Sequence, residues 1–165
     1  MDRCPLTPNK MSERIEKAKA LFREGFNCSQ SVVAAYADLY GYTPEQALRM
    51  SAAFGGGIGR MRMTCGAACG LFMLAGLDKG AVVGSNSQAK ADTYTLVQEL
   101  AAEFKRRNGS LICAELLGLK APEGSPIPAE RTPAYYAKRP CIEMVQEAAR
   151  IWEDYLAKTG EKAAE

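Results

Sequence analysis

Thr64-Cys65-Gly66-Ala67-Ala68-Cys69-Gly70-Leu71-Phe72-Met73-Leu74-Ala75-Gly76-Leu77 decides how this chain folds. From Met63 to Leu77 there is no charged residue. Cys65 and Cys69 stand at i and i+4, so in a helix both lie on one face, and Gly66 and Gly70 repeat that spacing and let another backbone come close. A helix apolar on all sides has to be surrounded by protein. The run is about 15 residues, against the ~20 that a helix needs to span a bilayer. The stretch therefore predicts a central buried helix, with Thr64 as its cap and Cys65 as its first residue.

Outward from this stretch, every segment reads as helix or loop. Met11 to Glu24 carries Ile15, Ala18, Leu21 and Phe22 at helical spacing, and Gly25 stops it. Asn27 is an N-cap that makes Cys28 the first residue of a helix running to Tyr40. Thr43-Pro44-Glu45-Gln46 is a capping box with proline in the first turn, and Ala47, Leu48, Met50, Ser51 and Phe54 supply the buried side. The glycine run 55–59 breaks that helix, and Arg60 and Arg62 follow. Asp78 to Ser85 reads as a loop. Asn86 to Arg107 is amphipathic, with Leu96, Leu100 and Phe104 on one face and Lys105-Arg106-Arg107 complementing the helix dipole. Ser110 caps a short helix, Leu111 to Leu117, that holds Cys113 in its first turn. Residues 119–139 are a proline-rich loop in which Tyr135 and Tyr136 either close a lid or pack the loop down. Pro140 and Cys141 open the last helix, which ends at Gly160. The fold class is all-α, a bundle of about six or seven helices in a single domain, 1–165, with residues 1–10 as a tail.

Composition narrows the chemistry. The chain has 165 residues, a formal net charge of +2, six cysteines and no histidine. So small a charge argues for neither nucleic-acid nor membrane binding. The start, Met1-Asp2-Arg3-Cys4-Pro5, lacks the apolar run of a signal peptide, so a cytoplasmic, reducing location is expected. Without histidine there is no Cys-His nucleophile pair, no imidazole metal ligand and no haem-attachment motif. No C-x-x-C pair is present, which argues against a thioredoxin-type motif or a zinc ribbon.

Cys28, Cys65, Cys113 and Cys141 share one property: each falls at or within the first turn of a predicted helix. Free amides and the dipole at such a position favour the thiolate, the form that acts as nucleophile and metal ligand. Gathered together, the four would build a thiolate site, its repulsion relieved by a cation, a cluster, a disulfide, or Arg60 and Arg62. An ordinary buried cysteine is a small hydrophobe, and that reading is adopted for Cys69, one turn inside the central helix. Cys4 reads as an inert tail thiol. The glycine run lacks the lysine and hydroxyl of a P-loop and follows no strand.

Cys65-Gly66-Ala67-Ala68-Cys69-Gly70 fits a C-G-A-x-x-G motif. With Cys28 in Phe26-Asn27-Cys28-Ser29-Gln30-Ser31, with Cys113 and Cys141, and with the glycine run ahead of the motif, the chain from about Ala18 to Tyr155 resembles the C_GCAxxG_C_C family. Its members are small proteins regarded as candidates for redox activity, with four signature cysteines. The resemblance implies that Cys28, Cys65, Cys113 and Cys141 carry the function, with Gly66, Ala67 and Gly70 as scaffold; it leaves Cys69 without a role. Three functions follow, in this order. The first is an iron–sulfur cluster held by the four cysteines for electron transfer. The second is thiol–disulfide chemistry by the same residues with no cofactor. The third is a structural zinc site in a partner-binding module. A redox partner protein is expected, a homo-oligomer is compatible with the sequence, and whether the protein is an enzyme stays open.

Overall fold

The computed structural model describes residues 8–121 and 124–163, with side chains described for 13–121 and 124–160. Among the described residues the protein is all-α: α1 (Pro8–Arg23), α2 (Cys28–Tyr36), α3 (Pro44–Ser51), α4 (Gly66–Lys79), α5 (Ser87–Asn108), α6 (Cys113–Leu116), α7 (Pro133–Lys138) and α8 (Cys141–Ala163). Short 3-10 turns, Ala37–Tyr40 and Ala52–Phe54, extend α2 and α3. Among the described residues the one extended pairing is an isolated bridge between Thr64 and Ile112.

The uncharged stretch forms α4, which packs against α2, α5 and α8. From Gly66 to Leu71 the helix is buried on every side, as its composition requires; further on, Leu74 and Ala75 face the core while Gly76 reaches solvent. Leu71 and Leu74 are both 0% exposed, and each contributes roughly 1.5–3 kcal/mol by leaving water. Around them sit Phe22, Tyr36, Phe104 and Trp152, which lock α1, α2, α5 and α8 onto the central helix.

Local chemistry sets most boundaries. Asn27 and Thr43 each form a complete capping box, with Gln30 and Gln46 bonding back to the cap amide. Asn86 accepts from the Ala89 amide at the start of α5. Several boundaries differ from expectation. α4 is capped by Cys65 rather than Thr64, because Thr64 is occupied in the bridge to Ile112. It continues through Asp78 to Lys79 before Gly80. α8 passes through Gly160, since one glycine lowers helix propensity without ending a helix. Within 119–139, Thr132 caps a helical turn by accepting from the Tyr135 amide, with Pro133 in its first position. Residues 8–10, expected within the tail, belong to α1; Cys4 lies outside the described residues. No helix among the described residues is long and apolar enough to cross a membrane.

Candidate functional site

Cys28, Cys65, Cys113 and Cys141 all wall one cavity of ≈ 410 Å³. Cys28 and Cys141 arrive as the first residues of α2 and α8. Cys65 arrives as the cap of α4 and Cys113 as the first residue of α6. The short helix does not begin at Leu111 as its spacing predicts. The Ser110 hydroxyl accepts from the Ile112 amide and donates to Glu115, and Ile112 is extended. The extended segment is then stapled to the chain before α4: the Cys65 amide donates to Leu111 O (2.7 Å) and the Cys113 amide to Met63 O (2.6 Å). This pairing sets Cys65 and Cys113 side by side in space although 47 residues lie between them.

The glycine run forms the floor. Gly56, Gly57, Ile58, Gly59 and Arg60 all adopt positive φ, between 56° and 75°, a left-handed turn closed by bonds such as Gly59 N to Ala53 O (2.7 Å). A β-branched residue at Ile58 is strained there, and such strain persists only where the surroundings enforce it. Here they do. A Cβ on Gly57 would stand 2.6 Å from Cys113 Cβ, and one on Gly66 would stand 2.9 Å from Phe54 O and 3.2 Å from Cys28 Cβ. These glycines admit the backbone to the cysteines, as expected.

The thiols are not electrostatically alike, and here the structure corrects the sequence. Helix starts were expected to favour all four thiolates; only one is favoured. The Cys141 thiol is brought down to about 7, first by a hydrogen bond from Cys28 and then by the nearby Arg139, Arg131 and Arg62 guanidiniums, against the effect of burial. Cys28 is raised well above the usual thiol range by that same hydrogen bond, and by burial. Cys65 is pushed up to about 12 by burial, although the amides of Ala67 and Ala68 pull the other way. Burial also raises Cys113, opposed by a hydrogen bond from Arg62. α6 is only four residues long, too short for an appreciable dipole. The surroundings thus set Cys141 apart: its thiol is lowered, while those of Cys28, Cys65 and Cys113 are raised.

Cys69 does not wall the cavity. Its thiol lies 3.8 Å from Thr64 O and burial raises it to about 11, in keeping with a packing role. The proline-rich segment does reach the site: Pro126, Pro128, Arg131 and Tyr135 line the cavity. Tyr136 anchors it, edge-on to Phe22 at 6.0 Å with its hydroxyl donating to Arg23 O. Arg131 and Arg139 are not singled out by the sequence; the available clue is that they flank two helix starts, Thr132-Pro133 and Pro140-Cys141.

Among the described residues the free thiols are Cys28, Cys65, Cys69, Cys113 and Cys141. As a donor set the four that wall the cavity suit iron–sulfur chemistry. Among the described residues no three Cys, Asp or Glu side chains are gathered so as to hold a single metal ion.

Comparison with curated proteins finds no match, and comparison with solved structures finds none either. A family model described as "Putative redox-active protein (C_GCAxxG_C_C)" matches residues 26–155. That span begins just before Cys28, ends beyond Cys141 and takes in every cysteine of the cavity, and so the chain belongs to the C_GCAxxG_C_C family.

Proposed function

We propose that this protein is a thiol–disulfide redox protein whose working couple is Cys28 and Cys141. The observation that carries the reading is the placement of Cys28 and Cys141 together in one cavity wall, where Cys28 and nearby guanidiniums bring the Cys141 thiol down to about 7 while Cys28 itself is raised well above the usual thiol range. Such a pair is prepared for two-electron exchange. The Cys141 thiolate attacks a partner disulfide and expels one partner thiolate; Cys28 gives up its proton and displaces the second, leaving a Cys28–Cys141 disulfide. Cys65 and Cys113 remain protonated and shape the pocket. The partner supplies or accepts the two electrons, and the location expected for such chemistry is a reducing compartment such as the cytoplasm.

A second reading is favoured by one observation, that four cysteines wall a single cavity. An iron–sulfur cluster would use Cys28, Cys65, Cys113 and Cys141 as ligands and would supply one-electron transfer. This order reverses the one drawn from sequence, where the cysteines could be counted but not their contacts. Isolation without oxygen, followed by iron, sulfide and zinc analysis and a redox titration, separates the readings. Metal-free protein that takes up two electrons per chain supports the dithiol. Brown protein with iron and labile sulfide overturns it.

A further inference from the structure

The cavity beside Cys28 and Cys141 has a charge imbalance that thiol exchange alone does not use. Arg60, Arg62, Arg131 and Arg139 wall it, and no carboxylate among the described residues does. Arg131 and Arg139 are held by aromatic rings: Arg131 lies 4.5 Å from the centroid of Phe22 and 4.7 Å from that of Tyr135, and Arg139 lies 4.8 Å from that of Tyr135. Contact with a ring positions a guanidinium without neutralising it. Arg131 donates from Nη2 to Phe26 O at 3.3 Å, while its buried Nη1 has no hydrogen-bond partner, and a buried donor in that state is costly until something accepts from it. The remaining wall is largely apolar, with Leu116, Leu117, Pro128 and Met144. A bare inorganic oxyanion would leave that surface unused and is small against ≈ 410 Å³. An organic anion uses both the guanidiniums and the apolar wall.

We infer that the cavity takes a low-molecular-weight organic disulfide bearing carboxylates, its charged groups on Arg131 and Arg139 and its sulfurs toward Cys141. The inference rests on the dithiol reading above and names its co-reactant. Cys141 S⁻ attacks one sulfur of R–S–S–R; that S–S bond breaks, a mixed disulfide forms and R–S⁻ leaves. Cys28 transfers its proton to the departing thiolate, giving R–SH. The Cys28 sulfur then displaces the second R–S⁻ from Cys141. The protein loses two electrons and becomes a disulfide, and the co-reactant gains them as two thiols, one of them ionised.

The test uses the full reduced chain and three small disulfides of similar size: dithiodipropionate, an anion; bis(hydroxyethyl) disulfide, neutral; and cystamine, a cation. The rate of Cys28–Cys141 disulfide formation is measured for each and divided by the rate of the same probe with the unfolded chain, which removes intrinsic reactivity. Electrostatic focusing in a cleft changes on-rates by about ten- to a thousandfold, so the anion-to-cation ratio is expected to be at least about tenfold. It should fall in Arg139→Gln, and it should fall in the wild-type protein as salt is added. The salt arm stands even if the variant folds poorly, and a lower thiolate fraction in the variant affects all three probes alike. A ratio near one, or a preference for cystamine, overturns the inference and leaves the dithiol reading in place. Failure of all three probes to give a Cys28–Cys141 disulfide overturns both.

Discussion

Cys65 and Cys141 show how burial and local charge divide two thiols that the sequence treats alike. Both stand at the start of a helix, where the dipole favours the anion by about 0.3–1 kcal/mol. Desolvation can shift a buried group by several pKa units, at 1.36 kcal/mol each. At Cys65 burial therefore wins over two amides, and the thiol rises to about 12. At Cys141 a hydrogen bond from Cys28 and three guanidiniums win over burial. Alkylation of Cys141 should accordingly rise with pH to half-maximum near 7. In Cys28→Ala the midpoint should move up toward the ordinary thiol range of about 9.0, since the largest contribution is gone; a pH profile of iodoacetamide labelling by mass spectrometry reads both. An unmoved midpoint would show that Cys28 is not the donor. The helix positions of these cysteines were legible from caps such as Asn27. The difference between them was not, because burial and the approach of Arg131 and Arg139 depend on residues far away in the chain.

Among the elements, helices with strong local signals came through and pairings between distant segments did not. Asn27 and Thr43 cap where their side chains predict, because a cap needs only the next three residues. The bridge between Thr64 and Ile112 joins segments that carry no mutual signal, and it is what displaces the starts of α4 and α6. The glycines of 55–59 announced a turn; the left-handed geometry of Ile58, Arg60 and Arg62 is set by tertiary contact. Gly70 was legible as a point of close approach, and the partner proves to be α2: a Cβ there would lie 2.9 Å from Val32 Cβ and 3.1 Å from Ser29 O. Gly70→Val should lower the unfolding free energy by about 1–3 kcal/mol, the overpacking outweighing the gain in helix propensity. Urea denaturation checks this, and unchanged stability would contradict the tight α2–α4 contact.

The whole molecule is closed by contacts between its two ends. Arg14 pairs with Asp38 at 2.7 Å and holds α1 to the turn after α2. Tyr36, on α2, donates to Glu153 of α8 at 3.0 Å in a buried setting, and burial raises the Glu153 carboxyl to about 7. Because the folded value lies above the unfolded one, the stability this group contributes is complete below the ordinary carboxyl range and is lost as pH rises through about 7. Glu153→Gln keeps the acceptor and should raise stability at pH 8 by about 1–2 kcal/mol after allowance for solvent screening, with little effect at pH 4. Thermal unfolding across that range checks the sign. The same union of α2 with α8 brings Cys28 to Cys141, and the most direct test of the account is to find where a disulfide forms. Reduced protein is poised in a thiol–disulfide buffer, remaining thiols are blocked, and peptides are mapped by mass spectrometry. A Cys28–Cys141 disulfide, with Cys65, Cys69 and Cys113 alkylated, is the predicted result; a disulfide through Cys65 or Cys113, with Cys28 and Cys141 left as thiols, would contradict it.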